Sequence, residues 1–148
     1  MKKDILYVLV QFFLFALYFI DWDLFDFQFP NWLRYSAIFF LVMGGIIILF
    51  GILSLNENLS IFPSPKKNGS LISSGVYGYV RHPIYSGIII SMASYSIYAV
   101  SPIKFMIAGV MIVVLYFKSS FEEQKLMESF TGYEKYMNKT GRFFPKRL

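Results

Sequence analysis

Cysteine is absent from the 148 residues and histidine occurs only once. The first absence excludes disulfides, thiolate metal sites and cysteine nucleophiles, while saying little about compartment. The second excludes a metal centre built on several histidines, and no metal site is expected. Charge is scarce as well, at 16% of the residues, against about 25% in an average soluble domain. No Gly-x-Gly occurs, so a Rossmann-type cofactor domain is not supported. Apolar residues fill the space instead: 56% hydrophobic and 20% aromatic, with a mean hydropathy of +0.53. A soluble domain carries about 45–50% apolar residues, and this excess places the chain in the membrane class.

Four apolar runs carry that excess: Ile5–Ile20, Tyr35–Leu55, Ile84–Val100 and Ile103–Phe117. A crossing helix needs about 20 apolar residues. The second run meets that length alone, and the first is slightly short. Only Ser101-Pro102 separates the last two, which makes them an antiparallel helical hairpin with Pro102 opening the returning helix. Met1-Lys2-Lys3 resembles the start of a signal peptide, but Asp21-Trp22-Asp23 follows the apolar stretch without a small-residue cleavage site, so the first run is kept as a helix. Gly44 and Gly51, seven residues apart, share a face of the second helix. They suit close approach of a neighbour, or simply reflect the frequency of glycine in membrane helices.

Net charge is +5, and the positions of the basic residues predict an orientation. Lys2 and Lys3 precede the first helix, and Lys66, Lys67 and Arg81 lie between the second and third. Lys118, Lys125, Lys135, Lys139, Arg142, Lys146 and Arg147 follow the fourth. Twelve of the 14 Lys and Arg thus fall on one side; Arg34 and Lys104 fall opposite, beside Asp21, Asp23 and Asp26. The expectation is a multi-pass integral membrane protein with both termini cytoplasmic. The basic residues form no continuous face, so they fit contact with membrane lipids and not with nucleic acid. Oligomeric state is unreadable.

Between Asn56 and Arg81 the chain is polar and broken by Pro63, Pro65, Gly69, Gly75 and Gly78, which suggests defined turns. It runs into Arg81-His82-Pro83 at the head of the third helix. Pro83 suits the first helical turn and pushes His82 towards an extended conformation. Arg81, His82 and the free backbone N–H groups there favour an anionic or carboxylate-bearing ligand; they equally suit an interfacial anchor with Tyr77, Tyr79 and Tyr85 as an aromatic belt. Lys118–Phe130 is expected to continue the fourth helix into the cytoplasm. Lys118 and Glu122 are spaced to pair. Glu123 shares a face with Leu126, Met127 and Phe130, and needs a partner: Arg81, His82 or a cationic ligand.

In order along the chain stand Gly75-x-Tyr77-x3-Arg81-His82-Pro83-x-Tyr85-x-Gly87, the pair Glu122-Glu123, Tyr133 and Tyr136, and Arg142-Phe143-x-Pro145. Together they resemble the catalytic half of the isoprenylcysteine carboxyl methyltransferase and phospholipid methyltransferase family, from about Asn56 onward. That resemblance implies an integral membrane methyltransferase using S-adenosylmethionine, with a lipidic or prenylated small-molecule acceptor. It implies catalytic roles for Arg81, His82, Glu122 and Glu123. Tyr77, His82, Pro83, Tyr85 and Gly87 would line the cofactor pocket, with Glu122 or Glu123 on the ribose or amino group. Lys118 and Arg142 would contact substrate. Family members often carry Arg one turn before the paired Glu; Lys118 keeps the charge and loses the bidentate fork.

The expected fold is therefore all-α and integral to the membrane: four transmembrane helices, the last two a hairpin, with a cytoplasmic cofactor-binding loop and a C-terminal helix. A single domain is expected, with two N-terminal helices over 1–55 and the loop, hairpin and C-terminal helix over 56–148. Two other readings stay open. Membrane sterol reductases, which use NADPH, share a His-Pro-x-Tyr pattern, but are usually longer and often have an acid where Ile88 follows Gly87. A non-catalytic membrane protein that binds a ligand is the other. The acceptor's reactive group, carboxyl, amine or hydroxyl, is undecided.

Overall fold

A computed structural model describes residues 2–21, 28–55, 60 and 70–146. Five α-helices follow one another: α1 (Lys2–Phe19), α2 (Asn31–Leu55), α3 (Pro83–Tyr98), α4 (Pro102–Ser129) and α5 (Tyr133–Lys139), with a 3₁₀ turn at Gly75–Gly78 before α3. The expectations placed on Asp23, Asp26, Pro63, Pro65, Lys66, Lys67, Gly69 and Arg147 lie outside the described residues, as does most of the loop after Asn56.

The helix starts follow local chemistry. Pro83 and Pro102 each open a helix, where a missing N–H costs nothing. Ser101 caps α4 by accepting from the Lys104 amide at 3.3 Å. The turn between α3 and α4 is tight enough to hold Val100 at φ 53°, a left-handed conformation that β-branched residues resist. His82, ahead of Pro83, sits at φ −127° and ψ 61°. It has left the helical region as expected but stops short of full extension. At the far end α4 runs unbroken to Ser129, as the continuation beyond Phe117 predicted.

The helices pack in the order α2, α3, α4, α1. α2 and α3 touch through small residues. A Cβ built on Gly51 would lie 2.7 Å from Ile84 Cγ1, and one on Gly87 only 2.6 Å from the Gly44 carbonyl oxygen. The shared face of Gly44 and Gly51 is therefore a helix–helix contact surface. Leu14 and Tyr18 of α1 meet Met92 of α3 and Ala108, Met111 and Leu115 of α4 in the main apolar cluster. Near the end of α1, the buried Lys104 ammonium caps the helix through the carbonyls of Tyr18 and Ile20, at 2.9 and 3.1 Å.

Large apolar side chains cover the outside. Leu9, Phe13, Phe19, Phe39, Leu53, Met106 and Phe117 are all exposed, a surface that water disfavours and lipid tolerates. Two helices, α2 and α4, are long and apolar enough to cross a membrane. The expectation of four such helices is thus met only in part. α3 has 16 residues, about 24 Å of helix. α1 has 18 and starts with Lys2, Lys3 and Asp4. α4 has the opposite property: its 28 residues reach about 42 Å, roughly 12 Å beyond a hydrocarbon core. Its last turns bring Glu122 and Glu123 beside His82 at the head of α3.

Candidate functional site

The site forms where three pieces of chain meet: the segment leading into α3, the overhang of α4, and the residues after α5. The backbone joins the first to the third. Val80 and Gly141 form a parallel bridge. The Arg81 amide donates to the Gly141 carbonyl at 2.9 Å, the His82 amide to the Arg142 carbonyl at 3.1 Å, and the Gly141 amide to the Tyr79 carbonyl at 3.2 Å. Ser86 Oγ adds a bond to the Phe143 carbonyl at 2.6 Å. Arg81 Nη1 reaches the carbonyls of Met137 (3.0 Å) and Thr140, near the end of α5, where free carbonyls favour a cation.

Glu123 is the centre of this junction. Its Oε1 accepts from Arg81 Nε at 2.7 Å and faces His82 Nε2 at 3.2 Å, while Oε2 accepts from Arg142 Nη2 at 2.6 Å. Only 3% of it is exposed. Burial alone would raise its carboxyl, but the hydrogen bonds from His82, Arg81 and Arg142 prevail and hold it at about 2. The partner that its apolar stripe demanded is three residues, one of them from the tail.

Glu122 is held differently. Its Oε2 accepts from the Tyr85 hydroxyl at 3.0 Å and lies 3.5 Å from His82 Nδ1, and no hydrogen bond to Oε1 occurs among the described residues. Burial raises its carboxyl, against the pull of His82 and Lys118. The His82 and Tyr85 rings are parallel, 3° apart with centroids 5.3 Å apart, and Phe143 stands edge-on to His82 at 6.2 Å. A carboxylate faces each nitrogen of His82, so whichever carries the proton has an acceptor.

Arg81, His82, Glu122, Glu123 and Tyr85 are thus brought together, with Pro83 buried next to His82 in the chain. Tyr77 is buried at the edge, where its carbonyl accepts from the Tyr136 hydroxyl at 2.7 Å. Burial and then the Glu122 charge push its phenol up, which keeps it protonated. Gly87, expected to line a cofactor, backs onto Gly44 and Ile48 of α2. Lys118, spaced to pair with Glu122, donates to Gln11 Oε1 of α1 at 2.7 Å and acts on Glu122 through its charge alone. Arg142, expected to contact substrate, is spent on Glu123 and on Ser120 Oγ at 2.7 Å, with its guanidinium 4.8 Å from the Tyr116 ring centroid. A groove of about 310 Å³ lined by Leu71, Ser73, Lys135, Tyr136 and Lys139 contains none of the clustered residues.

Sequence reasoning missed Gln11, Ser86 and Ser120. Gln11 left a signal, as the one amide inside an apolar run. The two serines left none, because serine is common and their partners come from the tail.

The model of the family described as phospholipid methyltransferase matches residues 32–133. No curated protein matches the chain. The match begins earlier than Asn56, at the head of α2, and ends at Tyr133, so α1 and the Arg142-Phe143-x-Pro145 tail lie outside it.

Proposed function

Because the chain belongs to the phospholipid methyltransferase family, which includes isoprenylcysteine-carboxyl-methyltransferase-like members, we propose that the junction of α3, α4 and the tail is its methyl-transfer site. The family assignment makes the chain a membrane protein and an S-adenosylmethionine-dependent methyltransferase with a lipid acceptor. A sterol-reductase reading has no such support.

The observation that carries the proposal is the asymmetry of the two carboxylates. Glu123 is consumed by three partners, and Glu122 keeps an oxygen that has no hydrogen bond among the described residues beside the stacked His82 and Tyr85 rings. S-adenosylmethionine carries a sulfonium, an ammonium, a ribose diol and an adenine. A carboxylate suits the ammonium or the diol, and aromatic faces suit the adenine and the sulfonium. The donor set therefore fits the group. Glu122 would hold the amino group or the ribose, with His82, Tyr85, Pro83 and Tyr77 as walls. Arg81 and Glu123 would act by fixing His82 and the tail around them, and Gly87 by letting α3 approach α2.

When bound, the group supplies an electrophilic methyl: the acceptor's lone pair forms the new bond to carbon as the carbon–sulfur bond breaks, its electrons staying on sulfur. For that step the chain must align the acceptor and exclude water. A carboxylate acceptor requires no base, whereas an amine must give up a proton before it attacks.

The wider arrangement forms part of the proposal. α1 to α4 make one membrane domain with both termini cytoplasmic, and the overhang of α4 and the tail face the cytosol, where a polar cofactor arrives. The acceptor, isoprenoid or acyl, enters laterally from the bilayer. Calorimetry of S-adenosylhomocysteine on the detergent-purified protein, with NADPH in parallel, tests the site. Binding of the first alone is expected; binding of NADPH alone, or of neither by folded protein, overturns the proposal.

A further inference from the structure

The groove that stands apart from the cluster takes its walls from two segments. One is the stretch leading into α3, with Ser73 and Gly78; the other is α5 and its end, with Lys135, Tyr136, Lys139 and Thr140. Its volume of about 310 Å³ lies at the small end of ligand pockets. Lys135 and Lys139 are four residues apart, so one face of α5 presents both ammonium groups to it. Both are exposed. The single acid of α5, Glu134, is not part of the lining, so the groove attracts anions.

Two aromatic side chains flank it. Tyr79, next to Gly78, is 70% exposed, and Phe144 is 66% exposed. Phe144 folds back on Gly141 so closely that a Cβ there would overlap its carbonyl, which keeps it beside Thr140. Basic residues between exposed aromatic rings make a surface suited to lipid headgroups; a soluble anion has no use for the rings. Behind the groove lies the cluster. The Tyr136 hydroxyl donates to the Tyr77 carbonyl at 2.7 Å, and the Thr140 carbonyl accepts from Arg81, whose Nε holds Glu123. A ligand that ties the two walls together therefore steadies α5 where α5 supports Arg81.

We propose that this groove takes the phosphate of an anionic phospholipid, with Lys135 and Lys139 as its contacts, and that the bound lipid holds α5 and the tail closed over the cluster. This lipid is not the methyl acceptor, since none of the residues proposed for methyl transfer lines the groove. Its effect on the cofactor rests on the proposed methyl-transfer site, whereas its binding does not.

Dioleoylphosphatidylglycerol and the zwitterionic dioleoylphosphatidylcholine are titrated against the detergent-purified protein by native mass spectrometry. The wild type is expected to prefer the first. Lys135→Gln with Lys139→Gln is expected to weaken phosphatidylglycerol about thirtyfold, the sum for two basic residues at a lipid surface, and to leave phosphatidylcholine unchanged. Lys3→Gln with Lys125→Gln removes the same charge elsewhere and is expected to keep the preference. A wild type without preference, a groove pair that retains it, or equal loss in both pairs overturns the proposal. Inorganic phosphate is expected to leave phosphatidylglycerol bound; displacement by it assigns the groove to soluble anions instead. In nanodiscs, the wild type is expected to bind S-adenosylhomocysteine more tightly with phosphatidylglycerol than with phosphatidylcholine, and the groove pair equally in both. Equal affinity in the wild type removes the closing role. Failure to bind S-adenosylhomocysteine in either lipid sinks the methyl-transfer site, and the mass spectra alone then decide the lipid.

Discussion

Both oxygens of Glu123 are taken, one by Arg81 and His82 and the other by Arg142, so replacing it strands three donors at once. Glu123→Gln is expected to cost about 3 kcal/mol of stability, the scale for breaking a buried ion pair, measured by thermal unfolding in detergent. Glu122→Gln is expected to keep or raise stability, because it removes a carboxylate whose burial is unfavourable, while weakening S-adenosylhomocysteine in calorimetry. The pH dependence separates them again. Glu123 sits at about 2 when folded, against an ordinary value of 4.5. Its contribution is therefore present above about pH 4.5 and lost as pH falls towards 2. Glu122 is raised and acts in the other direction, its ionisation opposing folding as pH climbs. Acid unfolding should be shallower in Glu123→Gln than in the wild type across that interval. From sequence, which of the two glutamates contacts the cofactor was open. The folded chain separates them, with Arg81, His82 and Arg142 on Glu123 and Tyr85 on Glu122.

The seam between α2 and α3 sets the position of His82, because α3 carries its N-cap. Gly44 and Gly87 meet there backbone to backbone. Gly87→Ala is expected to cost about 2 kcal/mol, as overpacking does, and to weaken S-adenosylhomocysteine as well by displacing the head of α3. Unaltered affinity and unfolding in that variant would show that the seam has slack. Much at this scale was legible in the residues: Pro83 and Pro102 mark helix starts, Gly44 and Gly51 mark a contact face, and the charged stretch after Phe117 marks an overhang. The backbone pairing of residues 79–82 with 141–142 was not. Main-chain hydrogen bonds leave no trace in side-chain pattern, and the two strands are too short to show alternation. The Gln11–Lys118 contact was equally hidden, since nothing local joins residues 107 positions apart.

For the molecule as a whole, the absence of cysteine makes orientation directly measurable. A single cysteine at Asn138, after α4, should react with an impermeant maleimide from the cytoplasmic side, and one at Asn31, at the head of α2, from the opposite side. Labelling of both from one side would refute the proposed topology. Composition was enough to place the chain in a membrane but not to count its crossings. The outward aromatic surface is shared by helices of quite different length, and α3 owes its place to α2 and α4 as much as to its own 16 residues.

The short strand that returns from α5 to pair beside Val80 also imposes an order in time. In a chain made from its N-terminus, residues 140–143 are the last of this cluster to be added. Until those residues leave the ribosome, Glu123 has no Arg142, the His82 amide has no carbonyl from the tail and Phe143 cannot close over the ring. A chain lacking residues 140–143 would therefore leave the cluster open, with Glu123 short of one of its two guanidinium partners.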